Sequence, residues 1–142
     1  MVIDHVGIVV PDLSMAIDRW IDVFGYNQMT EIIVNTRQQV RVVFLQKEGS
    51  VLIKLIEPSE KNSPIYRFAS RGGGLHHLCF RCNDVIAETA RLNSMGFRIL
   101  TSPQPGEAFE NQNIAFVYAH AMNLNIELID TNLKAGMLSD KR

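Results

Sequence analysis

Two cysteines in 142 residues are too few for a disulfide scaffold. They form Cys79-x-x-Cys82, but the segment reads as a strand, on which positions i and i+3 face opposite ways. Two buried free thiols are therefore expected, not a redox couple or half of a zinc site. No apolar run approaches the roughly 18 residues that a membrane span needs. The opening Met1-Val2-Ile3-Asp4-His5 lacks a basic stretch leading into an apolar one, so no secretory signal is expected. Nor does one sign of charge dominate. Fourteen Lys and Arg oppose fifteen Asp and Glu, for a net charge of −1, which leaves no footprint for nucleic acid or an anionic membrane. What remains, 46% hydrophobic and 20% charged residues, is the composition of a soluble globular protein, expected in a reducing cytoplasm.

The chain repeats itself at an offset of 72 residues. Ile3-Asp4-His5-Val6-Gly7-Ile8-Val9-Val10-Pro11-Asp12 aligns with Leu75-His76-His77-Leu78-Cys79-Phe80-Arg81-Cys82-Asn83-Asp84. Each run is strand-like, carries a histidine in its third position and ends in an aspartate that can cap a helix. In the first copy Leu13, Ile17, Trp20, Ile21 and Phe24 recur at helical spacing until Gly25. In the second, Val85, Ile86, Leu92 and Met95 make a weaker stripe ending at Gly96. Strands are predicted over 31–34, 40–45 and 51–56, answered by 98–101, 114–119 and 125–129. Leu52-Ile53-Lys54-Leu55-Ile56 matches Asn125-Ile126-Glu127-Leu128-Ile129 at an offset of 73.

Each half is thus β-α-β-β-β. The fold class is α+β, two βαβββ modules forming a cupped, partly closed barrel. The whole of 1–142 is expected as a single domain, with modules over 1–57 and 75–130, a linker over 58–74 and a tail from 131. Leu133–Arg142 reads as loose, and Gly72-Gly73-Gly74 reads as a flexible linker.

Alternation along the strands sorts the polar residues. If the repeat is real, His5, Lys54, His77 and Glu127 are two pairs of equivalent positions facing one point. Two imidazoles and a carboxylate there are a ligand set for a divalent ion such as Zn, Ni, Co, Mn or Fe. The bland alternative is hydrogen-bonded packing histidines. His76 reads as outward-facing or a packing residue, since it aligns with Asp4. His120 falls in a predicted turn, and Lys61, Arg67 and Arg71 read as solvated surface.

The His-Val-Gly-Ile-Val-Val-Pro-Asp-Leu opening, Gly-Leu-His-His-Leu and Asn-Ile-Glu-Leu, set on a βαβββ duplication, resemble the vicinal oxygen chelate superfamily. Methylmalonyl-CoA epimerases are most similar and glyoxalase I next, over Ile3 to about Asp130. The resemblance implies a divalent metal at the cup's centre, held by His5, His77 and Glu127. It also implies an acid/base carboxylate acting beside a metal-polarised carbonyl, and a homodimer. Two departures stand out. The fourth ligand position falls on Lys54, whose ammonium has no lone pair, and Glu57 faces the other side of the strand. No carboxylate stands near Thr36-Arg37-Gln38, where such epimerases carry a catalytic glutamate.

Three readings follow. One is a metal-dependent lyase or isomerase of the epimerase/glyoxalase kind, acting on a small acyl thioester, such as a CoA thioester, or on a 2-oxo compound. The second is a metal-free member in which Lys54 pairs with Glu127 and itself polarises a carbonyl or binds an anion. The third is a small-molecule binding protein of the antibiotic-sequestering kind. Glu127 and Lys54 are the candidate catalytic residues, and metal binding is expected to be weakened or absent because of Lys54.

Overall fold

The computed structural model describes residues 1–138. Strand β1 (Val2–Val9) leads into helix α1 (Leu13–Phe24). Asp12 caps the helix start, accepting from the Met15 N–H at 3.0 Å, and Gly25 at φ 72° ends it. The strands β2 (Asn27–Gln28), β3 (Ile33–Asn35), β4 (Val40–Gln46) and β5 (Leu52–Pro58) complete the first half. The second half follows the same course with β6 (Gly74–Arg81), α3 (Val85–Ser94), β7 (Arg98–Gly106), β8 (Gln112–Ala119) and β9 (Leu124–Ile129), one long strand, β7, standing where the first half has the short β2 and β3. Between them lies a short helix, α2 (Tyr66–Ser70), that periodicity did not predict.

All nine strands join one sheet in the order β2-β4-β5-β1-β6-β9-β8-β7, with β3 added on β4. The sheet is cupped and open, because its outer strands β2 and β7 do not pair with each other. Strands β1 and β6 run antiparallel at its centre, flanked by parallel β5 and β9. This pairing is the repeat in space. Gly7 stands opposite Lys54, and 72 residues on Cys79 stands opposite Glu127. Phe44 lies beside Lys54 as Phe116 lies beside Glu127.

Helices α1 and α3 cover the convex face. The first packs Leu13 and Ile17 onto Val43, Leu45, Ile53 and Leu55. The second packs Val85 and Leu92 onto Ala115, Val117, Ile126 and Leu128. A carboxylate from the end of each half's last strand holds the helix start: Glu57 accepts from the Leu13 N–H at 2.7 Å, and Asp130 from the Val85 N–H at 2.9 Å. A third cluster, with Phe44, Phe109, Ile114 and Ile129, fills the concave side. Among the described residues no helix is long and apolar enough to cross a membrane.

Two expectations are corrected. The described part of the tail is fastened: Ala135 N–H donates to Ala108, Leu138 N–H to Met29, and Gly136 accepts from Glu31 N–H, at 2.8–3.0 Å. Lys134 is buried as a result. Residues 139–142 lie outside the described residues. The glycine run is not slack either. A Cβ on Gly73 would stand 2.1 Å from the Val9 carbonyl oxygen, and its φ is 71°, so only glycine lets the linker return this close to β1.

Candidate metal or acid-base centre

The four side chains that alternation aimed at one point meet there. His5 Nε2 and His77 Nε2 each stand 3.0 Å from Glu127 Oε1, and 3.4 Å from each other. Lys54 Nζ is 3.4 Å from both Glu127 oxygens. All four are buried: His5 is 0% exposed, Glu127 1%, His77 3% and Lys54 5%. They sit at the floor of the cup against Phe44, Phe109 and Phe116.

Small residues make room for the imidazoles. A Cβ on Gly7 would stand 2.1 Å from His77 Cε1, so the His77 ring lies over the glycine backbone. The repeat places Cys79 at the matching position, directly across from His5. Gly7→Ala is therefore expected to displace His77 and cost about 1–3 kcal/mol of stability by overpacking; a urea melt checks this, and an unchanged midpoint would contradict it.

Further partners reach the histidines from the residue before each. The strand pairing shifts between Ile3 and His5, and this irregularity lets Asp4 Oδ2 approach His5 Nδ1 at 2.7 Å. Asp4 in turn pairs with Lys134 at 3.2 Å and with Arg81 at 3.1 Å. In the second half His76 Nδ1 lies 2.8 Å from His77 Nδ1. His76 is thus neither outward-facing nor mere packing: half-buried, it is tied into the site. Asp4 and Lys134 were not singled out in the sequence. The shared place of Asp4 and His76 before the paired histidines was the available signal. Nothing marked Lys134, which arrives on the tail.

Burial drives His77 down to about 3, against the pull of Glu127, so it is neutral at physiological pH. Its Nε2–H then donates to Glu127, and its Nδ1 accepts from His76. His76 is also lowered, by burial and then by the Lys54 charge. Burial alone would raise Glu127, but Lys54 and the two histidines outweigh it and hold the carboxyl well below its usual range. Asp4 is lowered in the same way: His5 and Lys134 outweigh its burial. The Cys79 thiol is pushed well above its usual value by burial and by Glu127, and Cys82 is free too.

His5, His77 and Glu127 form a group that could hold a metal ion. Their tips, 3.0–3.4 Å apart, match one face of a coordination shell with bonds of about 2.1 Å. The charges do not match. Two buried carboxylates, Asp4 and Glu127, already face two buried ammoniums, Lys54 and Lys134. An ion about 2.1 Å from Glu127 Oε1 would lie no more than about 5.5 Å from Lys54 Nζ, given the 3.4 Å contact between them. At an effective dielectric of 20 that repulsion costs about 6 kcal/mol or more, some four powers of ten in affinity. The donor tips thus suit an ion, while the Lys54 charge opposes one.

The cup is narrow. It encloses about 50 Å³ beside Lys54, His76, His77, Phe109, Phe116 and Glu127. Pro64, Ile65, His76 and His77 also line an outer groove of about 710 Å³ that runs past Phe68 and Tyr118. Glu127 is the one carboxylate on the cup's wall among the described residues. Near 36–37 a carboxylate does arrive, Glu107 from the other half, but it accepts from the Thr36 and Arg37 N–H groups and stays outside the cup. Asn35 and Gln38 line that wall instead. Glu57 points to the outer face, as alternation predicts, bonded to Arg41. His120, Lys61, Arg67 and Arg71 are exposed.

A profile of the glyoxalase/bleomycin resistance protein/dioxygenase superfamily matches residues 4–116. An ethylmalonyl-CoA/methylmalonyl-CoA epimerase of Cereibacter sphaeroides is 29% identical over 128 residues, spanning 85% of this chain and 90% of its own. Among solved structures, methylmalonyl-CoA epimerase from Mycobacterium tuberculosis shares 34% identity at a TM-score of 0.79, over 90% of this chain and 86% of its own. A methylmalonyl-CoA epimerase in complex with methylmalonyl-CoA and NH4+ gives a TM-score of 0.79 at 26% identity, over 93% and 96%.

Proposed function

Since the chain belongs to the glyoxalase/bleomycin resistance protein/dioxygenase superfamily, we propose that it is an epimerase-like enzyme that moves the proton on the carbon next to the carbonyl of an acyl-CoA thioester. One observation carries this reading: a carboxylate, Glu127, lies buried at the floor of a cup with the Lys54 amino group 3.4 Å away. The relatives named above act on methylmalonyl-CoA and ethylmalonyl-CoA, and one was solved with its substrate and an ammonium ion. Both favour a substituted malonyl thioester as the substrate class.

Glu127 takes the proton. The C–H pair becomes the C=C bond of an enolate, and the carbonyl π pair moves onto oxygen. Return of the proton to carbon restores the thioester. Glu127 Oε1 is engaged by both histidines while Oε2 meets only Lys54, so Oε2 is the oxygen that faces substrate. The apolar groove beyond His76 suits the pantetheine arm. The cup's 50 Å³ holds about one or two waters, so an acyl head must push the Pro64–Ile65 wall outward.

A cup with one carboxylate delivers and removes the proton on one face. The expected result with methylmalonyl-CoA in deuterium oxide is uptake of one deuterium at the α-carbon by mass spectrometry, running ahead of stereochemical inversion. Exchange no faster than in buffer alone would overturn the reading.

A further inference from the structure

We infer that Lys54 takes the electrostatic place of a divalent ion in this cup, so that the chain holds the developing oxygen anion of its substrate with its own ammonium and works without metal. The substrate half of this rests on the α-proton reading above, whereas the charge half does not. The repeat sets Lys54 and Glu127 at equivalent positions of β5 and β9, so opposite charges approach the same point from the two halves. The contact between them is loose. Both N···O distances are 3.4 Å, longer than the roughly 2.7–2.9 Å of a charge-assisted hydrogen bond. The carboxylate therefore does not consume the three N–H donors of the ammonium. Nζ is seated 5.2 Å from the Phe109 ring centre and 5.9 Å from that of Phe44, which fixes the cation at the wall of the cup without using a donor.

That position suits the charge movement of the reaction. Before proton transfer the negative charge is on Glu127; afterwards it is on the thioester oxygen, and Glu127 is neutral. An ammonium beside both places compensates each in turn. Its contact with the oxygen strengthens only as the charge arrives, so it favours the transition state over the bound substrate. No electron is gained or lost, and the only atom that moves is the proton. The buried charges of Asp4 and Glu127 against Lys54 and Lys134 leave no excess negative charge for an added cation.

The test is a calorimetric titration of Co²⁺ into the full chain and its Lys54→Gln and Lys54→Met variants. Lys54→Gln removes the charge and supplies a fourth ligand; Lys54→Met removes the charge alone. Lys54→Gln is expected to bind one Co²⁺ at least about 10³-fold more tightly than the unaltered chain, with Lys54→Met between them. A site for one Co²⁺ in the unaltered chain, within about tenfold of the Lys54→Gln affinity, overturns the inference. If neither variant folds, the unaltered chain still decides: submicromolar binding of one ion refutes the inference, and absence of saturable binding supports it. If that chain takes up no Co²⁺ and also exchanges no α-proton, the replacement of the ion stands and the substrate reading falls.

Discussion

Glu127→Gln is expected to lower α-proton exchange by a factor of about 10²–10⁴, the usual worth of a positioned general base. Its effect on folding should be as large. Glu127 and Lys54 are 1% and 5% exposed, so removing the carboxylate leaves a buried ammonium without its counter-charge. Breaking one side of such a pair costs about 3–5 kcal/mol. The double variant with Lys54→Met should recover much of that stability and none of the exchange, which separates the structural role from the chemical one. Urea melts and deuterium uptake on the same samples check both. A Glu127→Gln protein with undiminished exchange would remove the carboxylate from the chemistry.

The second large effect is with pH. His77 has its folded pKa pushed from 6.5 down to about 3. Between these values the unfolded chain binds a proton that the folded chain refuses, so stability falls as pH falls. The stabilisation is complete above 6.5 and is lost on the way down to about 3, and the full loss amounts to about 5 kcal/mol. His76, lowered by its burial and by Lys54, acts in the same direction. Glu127 adds a second window: its folded pKa lies well below 4.5, so the stability it provides above 4.5 is lost as pH drops through that lower range. Urea midpoints should therefore begin to decline near pH 6.5, well above the range in which ordinary carboxylates titrate. Equal midpoints at about pH 7 and about pH 5 would mean that His77 is not held neutral in the fold.

Much of this was legible because the chain is written twice. The offset of 72 residues between His5 and His77, and of 73 between Lys54 and Glu127, marked equivalent positions. Period-two alternation then put all four on one face, where they meet at 3.0–3.4 Å. The exclusion of Glu57 as a substitute ligand came from the same alternation, and Glu57 instead holds the start of α1. Four features escaped because they do not depend on strand period. Asp4 reaches His5 through a local shift in strand pairing. Lys134 is buried by backbone pairing of a tail with no periodicity of its own. His76 was matched to Asp4 and read as peripheral, although the match placed it beside the second buried imidazole. Glu107 is a fourth case: it arrives from a distant segment at 36–37, and no local pattern connects the two.

The cup sets an ammonium, Lys54, beside Glu127 and the two histidines, where the family resemblance implies a divalent ion. The most direct measurement is the rate of α-deuterium incorporation into methylmalonyl-CoA by the unaltered chain, before and after exhaustive treatment with a strong chelator. The account predicts enzymatic exchange that changes by less than about twofold. Exchange that vanishes on chelation and returns with added divalent ion would contradict it.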